Sequence, residues 1–164
     1  DLPYGKFRDK GTPIDNVSNY DSSKEDIVFI APLMDVEKHK LIFGTKSAMI
    51  KLVDGAEFAV TRKTSQATKL MDEDELLFVH MLSENATMVM RSKKEMFLRI
   101  DCATIPEKKK AAVGVRGMRL DREDELTDIY LLNDQEEKEV EVKGKQVALH
   151  RLHIANRDTK GVKK

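Results

Sequence analysis

Residues 108–132 read KKKAAVGVRGMRLDREDELTDIYLL. Three lysines open the stretch, a loop of small residues carrying Arg116 and Arg119 follows, and an acidic turn leads into an apolar run at residues 126–132. A short apolar run bounded by turn-forming residues is typical of a buried β-strand. A cationic loop that ends in such a strand indicates an exposed basic surface that binds a polyanion.

The same layout occurs again at a spacing of about 50 residues. Residues 45–52 (TKSAMIKL) align with residues 92–99 (SKKEMFLR), and the loop at residues 66–70 aligns with residues 116–120. A period of this length with about four short strands per unit is typical of propeller-like arrays. We therefore predict one domain over residues 1–164. Its repeat units lie at roughly 1–34, 35–84, 85–134 and 135–164, and the N-terminal segment could complete the blade begun by the C-terminal one.

The remainder of the chain also predicts short strands separated by turns. No window shows a sustained helical period, so the fold class is all-β. The predicted strands lie at residues 26–32, 40–44, 48–53, 58–61, 75–82, 86–90, 95–100, 126–132, 140–142 and 146–152.

Composition narrows the class of protein. The formal net charge is zero over 164 residues, which argues against a uniformly basic nucleic-acid module and leaves only local clusters for binding. The single cysteine excludes an internal disulfide and a cysteine-built zinc site, as expected for a reducing cytoplasm. No apolar run is long enough to span a bilayer, so we expect no membrane partner. The chain begins with Asp1, and we expect it to be a fragment of a longer protein.

Cations on the repeated loops are the candidate functional residues. Lysine and arginine side chains release counterions from duplex DNA and hold its backbone without reading its sequence. We expect the flanking acidic side chains to face elsewhere. The candidate DNA-binding residues are Arg62, Lys63, Lys69, Lys108, Lys109, Lys110, Arg116, Arg119, Arg157 and Lys160.

No catalytic residue is predicted in this chain. It has no Walker loop and no Gly-x-Ser-x-Gly elbow, and neither Tyr4 nor Tyr20 follows an arginine. His150 and His153 lack a third metal ligand in the pattern, and Cys102 lacks a base nearby in sequence. We expect no cofactor and no metal in this domain.

Two stretches carry a family resemblance: residues 62–82 (RKTSQATKLMDEDELLFVHML) and residues 112–132 (AVGVRGMRLDREDELTDIYLL). Weaker copies lie at residues 8–14 with 25–30, and at residues 157–161. The repeated pattern is a basic loop, Gly-x-basic-Leu, an acidic pair and a strand. It resembles the C-terminal domain of the A subunits of bacterial type IIA topoisomerases, DNA gyrase and topoisomerase IV.

That resemblance implies a β-pinwheel, a propeller-like ring whose blades exchange strands. This chain would form about three to four blades, as a complete or a partial ring, with DNA bent around the rim. The resemblance implies a bacterial cytoplasmic, nucleoid-associated protein. Its full-length A subunit would form a homodimer and work with an ATP-hydrolysing B subunit, so that ATP and magnesium belong to the parent enzyme.

The choice between the two enzymes depends on one motif. Gyrase carries a Gln-Arg-Arg-Gly-Gly-type box, and the nearest stretch in this sequence, residues 110–117 (KAAVGVRG), matches it poorly. The sequence therefore favours a non-catalytic, DNA-bending domain of the topoisomerase IV A subunit. The alternatives are the DNA-wrapping domain of the gyrase A subunit and a propeller-like protein-interaction module.

Overall fold

A computed structural model describes residues 5–16, 18–62 and 64–164 of the chain. This part is almost entirely β-structure, and its single α-helix, α1, spans Leu33–Val36. None of its helices combines the length and the apolar character needed to cross a membrane.

The described residues form ten β-strands and four 3-10 helices. The strands are β1 (Lys40–Thr45), β2 (Met49–Asp54), β3 (Leu76–Met81), β4 (Thr87–Ser92), β5 (Met96–Asp101), β6 (Val115–Arg116), β7 (Leu126–Leu132), β8 (Glu139–Val142), β9 (Lys145–Ala148) and β10 (Val162–Lys163). The 3-10 helices are Ile14–Asn16, Gly55–Phe58, Cys102–Thr104 and Leu149–Arg151.

The strands form two four-stranded antiparallel sheets and one separate hairpin. Sheet 1 has the order β3-β1-β2-β6, sheet 2 has the order β10-β5-β4-β7, and β8 pairs with β9. Strand β6 follows the second hairpin in sequence but pairs with β2 of the first, and β10 follows the third hairpin but pairs with β5 of the second. Each sheet is thus completed by a strand from the next unit. The all-β, propeller-like fold and its strand exchange are confirmed.

The alternating direction of side chains along the hairpin strands explains how the sheets stack. Side chains on successive residues of a strand point to opposite faces, and both faces of β1, β2 and β4 are largely buried. Ile42 and Ile50 of sheet 1 pack with Met88 and Met90 of sheet 2 in the largest core cluster. The opposite face of sheet 2 packs against the β8–β9 hairpin in a second cluster that includes Phe97. A strand buried on both faces therefore lies in the middle of each four-stranded sheet.

Two aspartates fix the acidic turns that precede β3 and β7. The Asp74 carboxylate accepts hydrogen bonds from the backbone N–H of Ser47 and of Glu75, both at 2.9 Å. The Asp124 carboxylate accepts from the N–H of Lys94 at 3.1 Å and from that of Glu125 at 3.0 Å. These acids therefore point at the hairpin tips, where they tie each tip to the start of the strand beside it.

Two predicted strands are wrong. Residues 26–32 pair with no strand in the described part of the chain and lead into α1, and Ile27 and Ile30 are exposed. The apolar pattern is present there, but a β-strand also requires a hydrogen-bonding neighbour. Residues 58–61 do not form a strand either. Asp54, the last residue of β2, accepts a hydrogen bond from the Ala56 N–H at 3.0 Å through its side chain, and this contact caps the 3-10 helix Gly55–Phe58, which takes the place of the expected strand start.

Candidate nucleic-acid interface

Nine of the ten candidate cations lie on three loops of the described residues: loop A (residues 62 and 64–71), loop B (residues 108–119) and loop C (residues 155–161). Loop B runs along the edge of β2 that faces away from β1, the edge on which β6 also pairs, and the Lys108 N–H donates to the Leu52 carbonyl at 2.8 Å. Loop C runs along the edge of β5 that faces away from β4, the edge on which β10 also pairs, and the Ala155 N–H donates to the Arg99 carbonyl at 2.8 Å. The two donors, Lys108 and Ala155, are 47 residues apart, and so are the two acceptors, Leu52 and Arg99. Loops B and C therefore occupy equivalent positions in successive repeats.

Loops B and C are bonded directly to each other. The Asp158 N–H donates to the Gly117 carbonyl at 2.8 Å, and the Arg119 N–H donates to the Thr159 carbonyl at 2.9 Å. Loop A adjoins loop B, because Lys69 and Gly114 line the same small cavity. Three segments that are distant in sequence therefore lie next to one another.

Three arginines and one aspartate form the contact between loops B and C. Arg116 Nη1 lies 3.5 Å and Arg119 Nε lies 3.8 Å from Asp158 Oδ1. Arg157 donates from Nη1 to the carbonyl of Arg116 at 2.8 Å. The side chains of Arg116 and Arg119 remain 57% exposed. One carboxylate among three guanidinium groups leaves this arginine cluster with a net positive charge.

The triple lysine of loop B contacts Glu57 in the 3-10 helix after β2. Lys109 Nζ lies 3.3 Å from the Glu57 carboxylate, while its side chain stays 86% exposed. Lys110 donates from its backbone N–H to the same carboxylate and from Nζ to the Glu57 carbonyl, both at 2.9 Å. The Lys110 N–H, followed by the Lys109 ion pair, lowers the pKa of Glu57. Lys110 thus anchors the loop, whereas Lys108 and Lys109 extend into solvent.

The remaining candidates differ in their surroundings. Lys160 pairs with Asp121 at 2.5 Å, which lowers the pKa of that carboxyl. Arg62 and Lys69 are exposed and make no ion pair within the described residues. Lys63 lies outside them. The expected segregation of charge is only partial, because Glu57, Asp121 and Asp158 lie among the cations of loops B and C and form ion pairs with them.

Lys51 is a buried cation that the sequence reasoning missed. It lies in β2 with 2% of its surface exposed. Its Nζ donates to the carbonyls of Lys109 at 3.3 Å, Lys110 at 2.8 Å and Ala112 at 2.7 Å. Burial lowers its pKa, and the Glu57 carboxylate opposes that shift. The available signal was a lysine inside the apolar run MIKLV, at a position that a two-sided buried strand turns inward.

The described residues contain no cluster of three or more histidine, cysteine, aspartate or glutamate side chains placed to hold a metal ion. Cys102 is buried at the start of a 3-10 helix. Burial, with a smaller effect of Asp101, raises the pKa of its thiol to about 12. At neutral pH this residue is therefore an apolar thiol within the core.

Comparison with known proteins assigns these repeats to a family. The family model described as "DNA gyrase C-terminal domain, beta-propeller" matches residues 39–83 and 88–133, which is more than half of the chain. The chain belongs to the DNA gyrase C-terminal domain family. As a member of that family, it has the fold of the C-terminal domain of a type IIA topoisomerase A subunit.

Three similar proteins illustrate the range of this family. The DNA gyrase A subunit of Metamycoplasma arthritidis (strain 158L3-1) is 28% identical over 136 residues, covering 82% of this chain and 15% of that protein. The crystal structure of the C-terminal domain of DNA topoisomerase IV superposes with a TM-score of 0.86 at 23% identity, over 98% of this chain and 52% of that one. The DNA gyrase A C-terminal domain gives a TM-score of 0.73 at 18% identity, over 95% and 53%.

These shares show that the gyrase C-terminal domain repeats in this chain correspond to a part of longer proteins. The chain spans less than a fifth of the gyrase protein it resembles and about half of each of the two superposed domains. At these identities the superpositions show a shared fold, the strand-exchanged sheets described above.

Proposed function

We propose that this domain binds duplex DNA on loops A, B and C without reading base sequence, and bends the duplex along the edge of its blades. One observation carries the proposal: loops B and C, some 40 residues apart in sequence, are joined side by side by the Asp158–Gly117 and Arg119–Thr159 backbone hydrogen bonds. The cations they carry consequently follow one another along a single surface. A row of cations is what a phosphate backbone requires.

The free-energy cost of bending the duplex determines how many cation–phosphate contacts the domain needs. Curving a site of 20–30 base pairs by tens of degrees costs on the order of 1–6 kcal/mol. Exposed single ion pairs contribute about 1 kcal/mol or less, so several spaced cations must act together. The arginine cluster and the exposed Lys108 and Lys109 provide such spacing across two neighbouring loops.

In the parent protein this domain would hold or bend one duplex segment, and so bias which crossings the catalytic core acts on. We favour the A subunit of topoisomerase IV, since these 164 residues contain no Gln-Arg-Arg-Gly-Gly run. The catalytic tyrosine, the ATP and magnesium of the B subunit, and the dimer contacts of the full-length protein would lie outside this domain. The parent enzyme would act in the bacterial cytoplasm at the nucleoid.

The gyrase alternative has its own support, since the Metamycoplasma arthritidis relative is the A subunit of a DNA gyrase. The two roles differ in the chirality they impose on DNA. A plasmid relaxed and resealed in the presence of a gyrase-like domain should show a change in linking number of one sign. A domain that only bends the duplex should leave the topoisomer distribution centred where it was.

Binding itself is tested with a fluorescent random-sequence duplex titrated by anisotropy between 50 and 200 mM salt. We expect log affinity to fall linearly with log salt, with a slope of about −0.9 per phosphate contacted. An unlabelled duplex of different sequence should compete equally well. Absence of duplex binding at 50 mM salt would reject the DNA-binding role and favour a protein-interaction module.

A further inference from the structure

Six lysines outside loops A, B and C lie together at the hairpin turns of the second and third repeat units. They come from the β4–β5 tip (residues 93–95), from the β8–β9 tip (residues 143–145), and from residues 163–164 at the end of β10. All six side chains are exposed. This lysine cluster consists of Lys93, Lys94, Lys143, Lys145, Lys163 and Lys164.

Glu95 in the β4–β5 tip joins the three segments. Its carbonyl accepts a hydrogen bond from the Lys164 N–H at 3.3 Å, and its carboxylate lies 2.6 Å from Lys143 Nζ. Strand β10 also pairs with the start of β5, where Lys163 lies opposite Met96. The lysines are therefore neighbours in space, although the segments that carry them are separated in sequence.

The lysine cluster has a net positive charge. Two of its members contact a carboxylate: Lys143 pairs with Glu95, and Lys93 Nζ lies 3.7 Å from the Glu125 carboxylate. The other four make no ion pair in the part of the chain that the structure describes: Lys94, Lys145, Lys163 and Lys164. Because the chain as a whole has a formal net charge of zero, its composition does not account for this local excess. Such an excess attracts a polyanion.

The backbone conformation does not account for the lysine at the β8–β9 tip either. Lys143 and Gly144 have φ values of 50° and 76°, as in a two-residue hairpin turn with both central residues in the left-handed region. Asparagine or aspartate before the glycine is the residue that this turn favours, whereas other L-residues adopt the left-handed conformation at a cost. The charge of Lys143 is therefore not a requirement of the turn.

The lysine cluster continues the surface of loop C. Lys160 of loop C pairs with Asp121, and Lys94 donates from Nζ to the carbonyl of the adjacent Arg122 at 2.7 Å. Strand β10 follows loop C directly in the chain. A duplex that lies along loops B and C consequently meets the lysine cluster next.

We propose that the lysine cluster is a further duplex-binding site, where lysine side chains contact the phosphates of the segment that leaves loop C. This inference rests on the proposed DNA binding at loops A, B and C, and it extends the path of the duplex to the third repeat unit. Lysine ammonium groups suit this role because they contact phosphates as point charges and read no base sequence. The exposed Glu139 and Glu141 of β8 keep the duplex at the tip, since their carboxylates repel phosphates from the strand beside it.

Substitutions test the lysine cluster through the salt dependence of duplex binding by the whole chain. Lys94→Gln and Lys145→Gln should each reduce the slope of log affinity against log salt by about 0.9, the counterion release of one phosphate contact. Arg151→Gln is the matched control. It removes the same charge from the 3-10 helix that follows β9, at the end of that strand away from the tip, and should keep the wild-type slope.

Lysine acetylation of the wild-type chain, read by mass spectrometry, gives an independent measurement. A bound random-sequence duplex should slow the acetylation of Lys94 and Lys145. It should not slow that of the exposed Lys38, which precedes β1 at the end of that strand away from its hairpin turn. Wild-type slopes in both tip variants, or unprotected tip lysines in a saturated complex, would overturn the lysine cluster as a site and leave binding at the loops intact. If the wild-type chain binds no duplex even at low salt, the DNA-binding role fails and this inference fails with it.

Discussion

Gly114 and Gly161 meet equivalent neighbours in successive blades. A Cβ on Gly114 would lie 2.6 Å from the carbonyl oxygen of Ile50, and a Cβ on Gly161 would lie closer still to that of Phe97. The two glycines are 47 residues apart, and so are Ile50 and Phe97, which is the same spacing that relates the contacts of loops B and C. Each loop therefore crosses the second hairpin strand of the preceding unit at a distance that only glycine allows.

Gly114→Ala and Gly161→Ala should each destabilise the fold by about 1–3 kcal/mol, the usual cost of overpacking. The added methyl group meets backbone, which cannot rotate away as a side chain can. The measurement is the midpoint of urea unfolding. Ala67→Gly is the surface control, since Ala67 lies in loop A and is exposed; it should change stability little. An unchanged midpoint in Gly114→Ala would contradict the close approach.

Asp158→Asn should tighten duplex binding by about threefold to fivefold at low salt. Asp158 is the carboxylate shared by Arg116 and Arg119, and removing its charge leaves both guanidinium groups available to phosphate. Its φ of 60° is one that asparagine tolerates well, so the backbone should be preserved. Anisotropy with a random-sequence duplex measures the change. Arg116→Gln combined with Arg119→Gln should act in the opposite direction, and weaker binding by Asp158→Asn would count against the arginine cluster as a contact.

Asp124→Ala should destabilise the domain by about 1–3 kcal/mol, because it leaves the buried Ser92 hydroxyl and two backbone N–H groups of the turn without this acceptor. The carboxylate serves the N–H groups of Lys94 and Glu125 and accepts from the Ser92 hydroxyl at 2.7 Å. Asp74→Ala should behave similarly in the first unit. Urea unfolding gives the size of each effect. Asp72→Ala is the surface control, and equal effects of Asp72 and Asp74 substitutions would refute the capping role.

Glu57 should make the anchoring of loop B dependent on pH. Its pKa is lowered from the ordinary value of 4.5, so the folded state binds its proton less readily than the unfolded chain. The anchoring contribution is therefore complete above pH 4.5 and is lost as pH falls through the lowered pKa. The chemical shift of the Lys110 amide proton reports this, since that N–H donates to the carboxylate. Glu57→Gln should remove the titration, and a Lys110 midpoint at or above pH 4.5 would disagree with the structure.

Cys102 should resist thiol reagents in the folded protein. Burial raises its pKa to about 12, so the reactive thiolate is almost absent at pH 8. Ellman's reagent should titrate no thiol in native protein at pH 8 and one thiol per chain after denaturation in urea. Rapid reaction of the native protein would show that the core around Cys102 opens.

Periodicity carried most of the fold prediction. The hairpins at β1–β2 and β4–β5, the strand β7 and the loops between them follow from local apolar alternation and turn residues, which do not depend on distant partners. The prediction of a strand at residues 26–32 was wrong because strand formation also depends on distant partners. Its side chains have the right pattern, yet whether they form a strand depends on a neighbour that the pattern cannot supply.

The same distinction between local pattern and distant contacts applies to the candidate site. The sequence by itself determined that the repeats are all-β and that their loops carry the cations, because both are properties of residue type and spacing. Only the tertiary structure decided that β6 and β10 complete the sheets of the preceding units, that loops B and C lie side by side, and that Lys51 lies beneath residues 109–112. Those contacts join residues 40 to 67 positions apart, and hydrogen bonds over such separations are set by how the blades stack.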